Sequence, residues 1–169
     1  MEMVPETSLF FKSGAEGYDS GMEGGITNRK ARFNYDILET FTAGIALFGH
    51  EVKAIRIGRG SIVGAHVIVR GGEAYIVGAD IPPYQSGNTP KEYDPKRTRR
   101  LLLTKKEIAL LAAAEAKKGL TVVPLQVYNK GKRIKVEVAI ARGRKEYDKR
   151  EAIKKRETLR EVRREAKER

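Results

Sequence analysis

The chain contains no cysteine and no tryptophan among its 169 residues. Without cysteine it can form no disulfide, no thiolate metal site and no cysteine nucleophile. It also has no apolar segment long enough to cross a membrane, and its first residues lack the basic and apolar regions of a signal peptide. We therefore expect a cytoplasmic protein with no membrane partner.

Residues that could form a catalytic or metal site are equally scarce. The two histidines, His50 and His66, lie in different segments, and no nearby carboxylates have the spacing of metal ligands. No glycine-rich loop has the form of a phosphate-binding loop, and no serine stands in a nucleophile elbow. The sequence therefore predicts a protein that is not an enzyme, holds no metal and requires no cofactor.

The net charge of +12 is distributed unevenly along the chain. Residues 1–27 are acidic and rich in glycine and serine, which predicts a disordered N-terminal extension. Residues 28–169 carry the whole excess of lysine and arginine. Such a basic body suits a phosphate-rich partner, because each neutralised phosphate releases counterions. Composition favours nucleic acid as the partner; a protein that is merely cationic, or one that binds the ribosome surface, remains an alternative.

The first ordered segment reads as a strand followed by a short helix. Apolar and polar residues alternate from Phe33 to Ile45, as in a half-buried strand. The alternation changes phase at Leu38 and Glu39, which indicates a β-bulge at that pair. Glycines bracket residues 49–58, and the apolar residues between them favour a short helix.

A hairpin and a long loop follow. Residues 65–77 alternate around Gly71–Gly72, a pair that supplies the positive φ angles of a tight turn. Residues 82–100 contain four prolines and a basic cluster, and we expect them to form a loop without regular structure.

The next signals mark a longer helix and a second hairpin. Thr104 and Glu107 have the spacing of a capping box, and Gly119 is a suitable helix stop. The alternating segments on either side of residues 129–132 predict the hairpin, with Pro124 at an edge or a bulge. Five or more antiparallel strands with packed helices indicate a mainly β fold, an OB-like antiparallel β-barrel over residues 28–143.

The remaining segment, residues 144–169, has no glycine or proline, and 19 of its 26 residues are charged. Its helix propensity is high, but it has almost nothing to bury, and an isolated helix of this kind is marginal in water. We therefore expect a basic C-terminal tail that is disordered alone and becomes helical against a polyanion.

Three basic groups occur in the chain, at residues 28–32, 96–100 and 142–150. Each alone is more often a solvated surface than a binding site, but the first two flank β elements and can share one face. Tyr84, Tyr93 and Tyr147 lie near these groups, where they could stack on bases or simply pack against the protein.

Six ordered segments of this sequence resemble the SmpB family, the SsrA-binding proteins. The segments are Asn28–Arg32, Glu39–Gly44, Gly49–Lys53, Gly72–Ala74, Arg99–Leu103 and Tyr147–Arg150. The resemblance runs from about Asn28 to the end of the chain. It implies an OB-like protein that binds the tRNA-like domain of transfer-messenger RNA and brings it to stalled ribosomes. Its tail would enter the empty mRNA channel, and elongation factor Tu would be a companion through the alanylated RNA. We expect a monomer.

The resemblance also implies specific site residues. The RNA-facing candidates are Asn28, Arg29, Lys30, Arg32, Lys53, Arg97, Arg99, Arg100 and Leu102. The decoding-centre candidates in the tail are Tyr147, Asp148, Lys149, Arg150, Ile153 and Lys154. Thr42 and Thr104 depart from the family pattern, which commonly has a carboxylate at the first position and His or Asn at the second. A general OB-type RNA-binding or ribosomal protein and an RNA-modifying enzyme are the alternatives.

Overall fold

The computed structural model describes residues 25–166. The strands are β1 (Gly25–Thr27), β2 (Tyr35–Ile45), β3 (His66–Arg70), β4 (Glu73–Val77), β5 (Arg99–Leu102), β6 (Leu120–Lys130) and β7 (Arg133–Gly143). The helices are α1 (Arg29–Asn34), α2 (Gly49–Arg56), α3 (Lys105–Ala116) and α4 (Glu146–Glu165), with a single 3-10 turn at Ser86–Asn88. None of the helices within residues 25–166 combines the length and the apolar character needed to span a bilayer.

All seven strands form one antiparallel sheet in the order β1-β6-β7-β2-β5-β4-β3. The sheet curls so that β3 approaches β6, but no ladder of hydrogen bonds joins these two strands. The predicted mainly β, OB-like fold with helices is therefore confirmed. The sheet, however, stays open, so the barrel is not closed.

The predicted first strand is confirmed as β2, but it begins at Tyr35 rather than at Phe33. Its register against β7 shifts between Ile37 and Glu39, which places the expected bulge at Leu38. Phe33, the predicted first residue of the strand, belongs instead to α1. This helix forms because the Asn28 side chain accepts a hydrogen bond from the Ala31 N–H at 3.0 Å and so caps it.

The extension predicted over residues 1–27 overlaps the first strand of the structure at its C-terminal end. Gly25–Thr27 form β1 and pair with β6, so these three residues are part of the sheet. The buried Ile26 side chain explains why the pairing is stable, because it joins the main core. Residues 1–24 lie outside the described part of the chain.

Most of the local signals between residues 49 and 143 are confirmed. These are helix α2, the β3–β4 hairpin with Gly71 and Gly72 at φ of +59° and +75°, and the β6–β7 hairpin. A register shift between Pro124 and Gln126 confirms the bulge in β6. The predicted loop over residues 82–100 ends earlier, because Arg99 and Arg100 begin the short strand β5.

The core lies on both faces of the sheet. The larger cluster lies inside the curl of the sheet and includes Ile55 of α2 and Leu111 of α3. The smaller cluster covers the other face of β6 and β7, where Ala31 of α1 packs on Val123 and Ala139. The two helices α1 and α2 are thereby fixed to the sheet, and they carry several of the basic residues discussed below.

The tail is helical over α4 and projects from the end of β7. Arg144 pairs with Asp36 at 2.6 Å, and its N–H donates to the Asn34 carbonyl. Further along, the guanidinium of Arg156 lies 5.6 Å from the Phe33 ring. Tyr147, Ile153, Leu159 and Val162 remain exposed, so α4 buries little apolar surface on the rest of the protein.

Candidate RNA interface

An open groove on the outer face of the sheet collects several of the predicted residues. Leu102 is half exposed and pairs with Gly44 of β2, so both residues lie on the outer face. Thr42, Arg100 and Thr104 line the same groove. The two positions that depart from the family pattern are therefore adjacent to Leu102, and both present hydroxyls where a carboxylate and an amide or imidazole are common.

Thr104 caps helix α3 at the edge of this groove. Its hydroxyl lies 2.7 Å from the Glu107 carboxylate, and the Glu107 side chain accepts the Thr104 N–H at 2.8 Å. This is the predicted capping box, which begins α3. The hydrogen bonds from Thr104 lower the pKa of Glu107. The Thr104 side chain is exposed on the groove and also caps α3.

Arg100 lies on the groove with part of its charge compensated. Its guanidinium donates to the Glu73 carboxylate at 2.9 Å, and both side chains are about half exposed. The same carboxylate accepts the Tyr75 hydroxyl at 2.6 Å, and this hydrogen bond raises the pKa of Tyr75. An exposed pair of this kind contributes little to stability, so Arg100 can exchange Glu73 for a phosphate at small cost.

Arg99 does not face the groove, and its burial gives no support to the predicted direct contact with RNA. It has no exposed surface, because residues alternate along β5 and Arg99 points to the interior. Its guanidinium donates to the Glu51 carboxylate at 3.0 Å and to the Ala79 carbonyl at 2.8 Å. The role of Arg99 is therefore to tie β5 to α2 and to the segment after β4.

Glu51 is the centre of a buried network that also holds Arg97. The Arg97 guanidinium makes two hydrogen bonds to the Glu51 carboxylate, at 2.9 and 2.6 Å, and lies 4.0 Å from the Phe48 ring. Burial alone would raise the pKa of Glu51, but the hydrogen bonds from Arg97 and the Phe48 N–H, with the charge of Arg99, lower it to about 2. Arg97 is one-quarter exposed, so it reaches the surface only in part.

The predicted stacking role of Tyr93 does not fit its position. Its hydroxyl lies 2.9 Å from the Glu51 carboxylate and 2.7 Å from the Ile81 carbonyl, and its ring contacts His50 edge-on. Burial and the Glu51 carboxylate raise the pKa of Tyr93. The ring therefore packs within the protein, as the alternative reading required. Tyr84 is half-buried beneath Lys53, whose ammonium lies 5.9 Å from the ring centre.

The first basic group, residues 28–32, divides into two buried residues, Asn28 and Ala31, and three exposed ones. Asn28 is buried, and its amide donates to the Ile62 and Pro124 carbonyls at 3.1 Å each. In this structure Asn28 has a structural role, and its burial does not support the predicted contact with RNA. The exposed members are Arg29, Lys30 and Arg32 of α1. Arg32 lies 3.9 Å from Glu137, the β7 partner of Thr42. One residue of this group therefore shares the outer face with the groove.

The decoding-centre candidates all lie on the first three turns of α4. Tyr147 is 70% exposed, and Ile153 is 43% exposed, so neither is held by the body. Arg150 reaches Glu146 at 3.7 Å, and this pair is almost fully exposed. Asp148, Lys149 and Lys154 complete the set. The tail candidates form a surface separate from the groove.

Comparison with known proteins identifies the family. The family model described as SmpB protein matches residues 25–168. This chain belongs to the SmpB family. The SsrA-binding protein of Gloeobacter violaceus is 48% identical over 139 residues, which cover 82% of this chain and 91% of that protein. The SsrA-binding protein of Synechococcus sp. is 49% identical over 145 residues, covering 85% and 94%.

A solved structure supports the same assignment. A chain from the study "tmRNA-SmpB: a journey to the center of the bacterial ribosome" aligns with this SmpB-family chain at a TM-score of 0.62 and 40% identity. The alignment covers 77% of this chain and 94% of the solved one. The groove, the basic helix α1 and the basic tail are therefore features of an SmpB-family protein.

Sequence reasoning missed Glu51 and Glu73, the carboxylates that pair with the predicted arginines of this SmpB-family chain. For Glu51 a signal existed: it lies on the same face of α2 as the buried Ala54 and Ile55. A charged residue on an apolar helix face needs a buried partner of opposite sign. No comparable signal marks Glu73, which is exposed and pairs across β4 and β5.

Proposed function

We propose that this protein binds the tRNA-like domain of transfer-messenger RNA and delivers it to stalled ribosomes for trans-translation. The observation that carries this proposal is the 40% identity with a chain from a transfer-messenger RNA–SmpB ribosome structure, over most of both chains. The outer-face groove supplies suitable chemistry, because it combines exposed Leu102 with Arg100 beside an open, antiparallel sheet. An apolar side chain can contact an unstacked base or ribose, while Arg binds phosphate.

The RNA surface in this proposal consists of the groove together with α1 and α2. The predicted residues with exposed or partly exposed side chains contribute to it directly: Arg29, Lys30, Arg32, Lys53, Arg97, Arg100 and Leu102. Arg99 and Asn28 are buried and support this surface indirectly, because they hold β5 and the start of α1 in position. The protein acts as a monomer, and elongation factor Tu joins through the alanylated RNA rather than through this chain.

The tail has a separate part in this proposal. Helix α4 enters the empty mRNA channel, and its first turns occupy the decoding centre through Tyr147, Asp148, Lys149, Arg150, Ile153 and Lys154. Supporting this, α4 is basic, exposed and 20 residues long, or about 30 Å at 1.5 Å per residue. A narrow channel walled by RNA suits a helix of this length and charge. RNA contacts would then stabilise a helix that its own short-range pairs stabilise only weakly.

Competition binding tests the RNA assignment. Labelled tRNA-like domain is bound to the full chain and displaced by unlabelled transfer-messenger RNA or by ordinary tRNA of equal concentration. We expect transfer-messenger RNA to compete much more strongly. Equal competition by the two RNAs would indicate a general RNA-binding protein and overturn the proposal.

Truncating the chain distinguishes the RNA-binding surface of the body from the tail. A chain ending at Arg144 keeps β7 and the Arg144–Asp36 pair, so the body should fold as before. We expect it to bind the tRNA-like domain almost as well as the full chain but to support no tagging on ribosomes stalled without a codon. A large loss of RNA affinity would instead place the recognition surface in the tail.

A further inference from the structure

The hairpin between β6 and β7 carries positive charge that the described part of the chain does not neutralise. Its four cations, which we call the hairpin cations, are Lys130, Lys132, Arg133 and Lys135. No carboxylate within residues 25–166 lies within ion-pair distance of any of them. Lys130 and Arg133 are direct partners across the hairpin, and like charges in such a pair repel each other. An anion lying against the hairpin would relieve this repulsion.

Residues 1–24 carry the opposite charge and join the sheet next to this hairpin. They contain five acidic residues and one lysine, which gives their side chains a net charge of −4. Gly25, the first residue of β1, pairs with Tyr128 of β6 in an antiparallel register. The chain that precedes Gly25 therefore leaves β1 in the direction in which β6 continues, toward Lys130 and the turn.

The end of α2 lies at the same junction. A Cβ atom built on Gly58, just after α2, would lie 3.9 Å from the Gly25 carbonyl oxygen, so these two backbones are adjacent. The Arg56 guanidinium donates to the Lys132 carbonyl at 3.2 Å, which holds the turn against α2. Arg56 is also beyond ion-pair distance of every carboxylate in residues 25–166. The acidic segment therefore joins the body between a cation of α2 and the hairpin cations.

An apolar groove adjoins the hairpin cations. Its apolar wall consists of Ile45, Leu47, Val52 and Leu102, and three of the hairpin cations border it. Leu102 is 52% exposed, so part of this wall faces solvent. The same leucine also lines the outer-face groove described above. A ligand for this place would combine negative charge with large apolar side chains.

The acidic segment has both properties and enough length to reach the groove. Besides its acidic residues it contains the apolar run Leu9-Phe10-Phe11. The chain from Phe11 to Gly25 can span about 45 Å, at about 3.3 Å per residue. The groove borders β7 and β2, two and three strands away from β1, which is about 10–15 Å at about 4.8 Å per strand.

Covalent attachment makes a weak attraction sufficient. A segment joined to its own surface acts at an effective concentration on the order of 1 mM. An intrinsic dissociation constant of about 1 mM is then enough to cover the surface for half of the time. Exposed ion pairs and a few apolar contacts, each weak alone, can together provide an attraction of this size.

We propose that residues 1–24 fold back onto the hairpin cations and the adjoining groove, with Glu23 opposite Lys130 and Leu9-Phe10-Phe11 in the groove. The place of Glu23 follows from continuing the β1–β6 register by two residues. The segment then covers Leu102 and competes with RNA as an internal inhibitor. Its docking follows from charge, register and length; its competition with RNA rests on the proposed function.

Disulfide cross-linking tests the docked position, because the chain has no cysteine of its own. Glu23→Cys combined with Lys130→Cys puts two thiols at facing positions of an antiparallel pair. Cα atoms there are about 4.5–5.5 Å apart, within the range that a disulfide requires. The control combines Glu23→Cys with Lys117→Cys, an exposed position that precedes the opposite end of β6.

We expect the first pair to oxidise much faster than the control, at a rate that does not depend on protein concentration. Urea unfolding of the reduced variant checks that the body is as stable as in the parent. Oxidation no faster than in the control would overturn the inference. So would a rate that rises with concentration, because the segment would then lie on a second copy of the chain.

Titrations with the tRNA-like domain test the competition. If the segment covers the surface for about 50–90% of the time, it weakens the apparent RNA affinity by about 2–10-fold. The oxidised Glu23→Cys, Lys130→Cys chain should therefore bind RNA less tightly than its reduced form. A full chain with Leu9→Ser, Phe10→Ser and Phe11→Ser should bind about 2–10-fold more tightly than the parent. This serine variant keeps every charge, so its gain cannot come from general repulsion between the segment and RNA.

Two further variants examine the charges of the segment. Glu16→Gln, Asp19→Asn and Glu23→Gln together should also raise RNA affinity, because the segment loses most of its attraction to the hairpin cations. The matched control, Glu16→Asp, Asp19→Glu and Glu23→Asp, keeps the charge and should bind RNA like the parent. A gain in the charge variant without one in the serine variant would indicate general repulsion and overturn the inference.

These measurements distinguish the inference from the proposed function. Cross-linking involves no RNA, so its failure overturns the docked position whatever RNA the parent prefers. If the parent binds the tRNA-like domain and ordinary tRNA equally, the proposed function fails, while cross-linking and a gain toward both RNAs in the serine variant still support the inference. Equal RNA affinities of the oxidised and reduced forms would overturn the inference and leave the proposed function intact.

Discussion

The side chain of Leu102 lies directly over Gly44. A Cβ atom added to Gly44 would be 3.1 Å from the Leu102 Cβ and 3.2 Å from its Cδ1. Gly44 is not in the left-handed region, so an alanine can adopt its backbone conformation. The glycine is therefore required by the close approach of Leu102, which it allows to lie flat along the outer face.

We predict that Gly44→Ala displaces Leu102 and weakens binding of the tRNA-like domain about as much as Leu102→Ala does. Stability should fall by up to about 1–3 kcal/mol, because the nearest contact is the Leu102 Cβ, which moves only with the β5 backbone. Affinity titrations of the two single variants and the double variant measure this. Independent, additive losses in the double variant would show that Gly44 does not act through Leu102.

The Glu51–Arg99 pair should be the most sensitive polar contact in the body. Glu51→Gln leaves the fully buried Arg99 without its counter-charge and should cost about 3–5 kcal/mol of folding free energy. Combining it with Arg99→Met removes the unpaired cation and should recover part of that loss. Arg97→Gln, at the partly exposed end of the network, should cost clearly less. Urea unfolding compares the variants, and equal losses for Glu51→Gln and Arg97→Gln would contradict this account.

Acid should destabilise the protein through Glu51. Its pKa is lowered from 4.5 to about 2 in the folded state, so the folded protein binds this proton less tightly than the unfolded chain does. The stability that Glu51 contributes is therefore complete above pH 4.5 and is lost as the pH falls toward 2. Within this window the free energy of unfolding should fall by up to about 1.4 kcal/mol per pH unit from this group.

A matched variant isolates the contribution of Glu51 to the pH dependence of stability. Glu51→Gln combined with Arg99→Met lacks the carboxyl group, so its stability should vary less with pH between 4.5 and 2 than that of the parent. Urea unfolding at a series of pH values measures the difference. Parallel curves for parent and variant would assign the acid sensitivity to other carboxylates, such as Glu107 and Glu115, whose pKa values are also lowered.

The features predicted correctly from the sequence have local causes. The bulge at Leu38, the capping box at Thr104 and the turn at Gly71–Gly72 each depend on a few neighbouring residues. Strand β5 shows why others were missed. It buries Arg99 and exposes Leu102, the reverse of what polarity predicts, because the partner of Arg99 is the distant Glu51.

The candidate site shows the same division between local and distant causes. Only the family resemblance predicts Leu102 as a site residue, since an exposed leucine in a strand has no physical signature in the sequence. The compensation of Arg97 and Arg100 depends on carboxylates 46 and 27 residues away, which only the fold brings close. Counting basic residues along the chain therefore selected residues 96–100 and missed the carboxylates that compensate their charge.

The tail provides the last prediction. Among the described side chains of α4, one ion pair, Glu146–Arg150, joins residues of the helix itself, and both partners are highly exposed. Such a pair contributes only about 0.2–0.5 kcal/mol, and the apolar residues of α4 gain little from the body. We expect a peptide of residues 144–169 to be mostly coil by circular dichroism in dilute buffer. The helical signal should rise when a structured RNA is added, because phosphates neutralise the like charges along the helix. A peptide already helical in buffer would show that folding of the tail needs no partner.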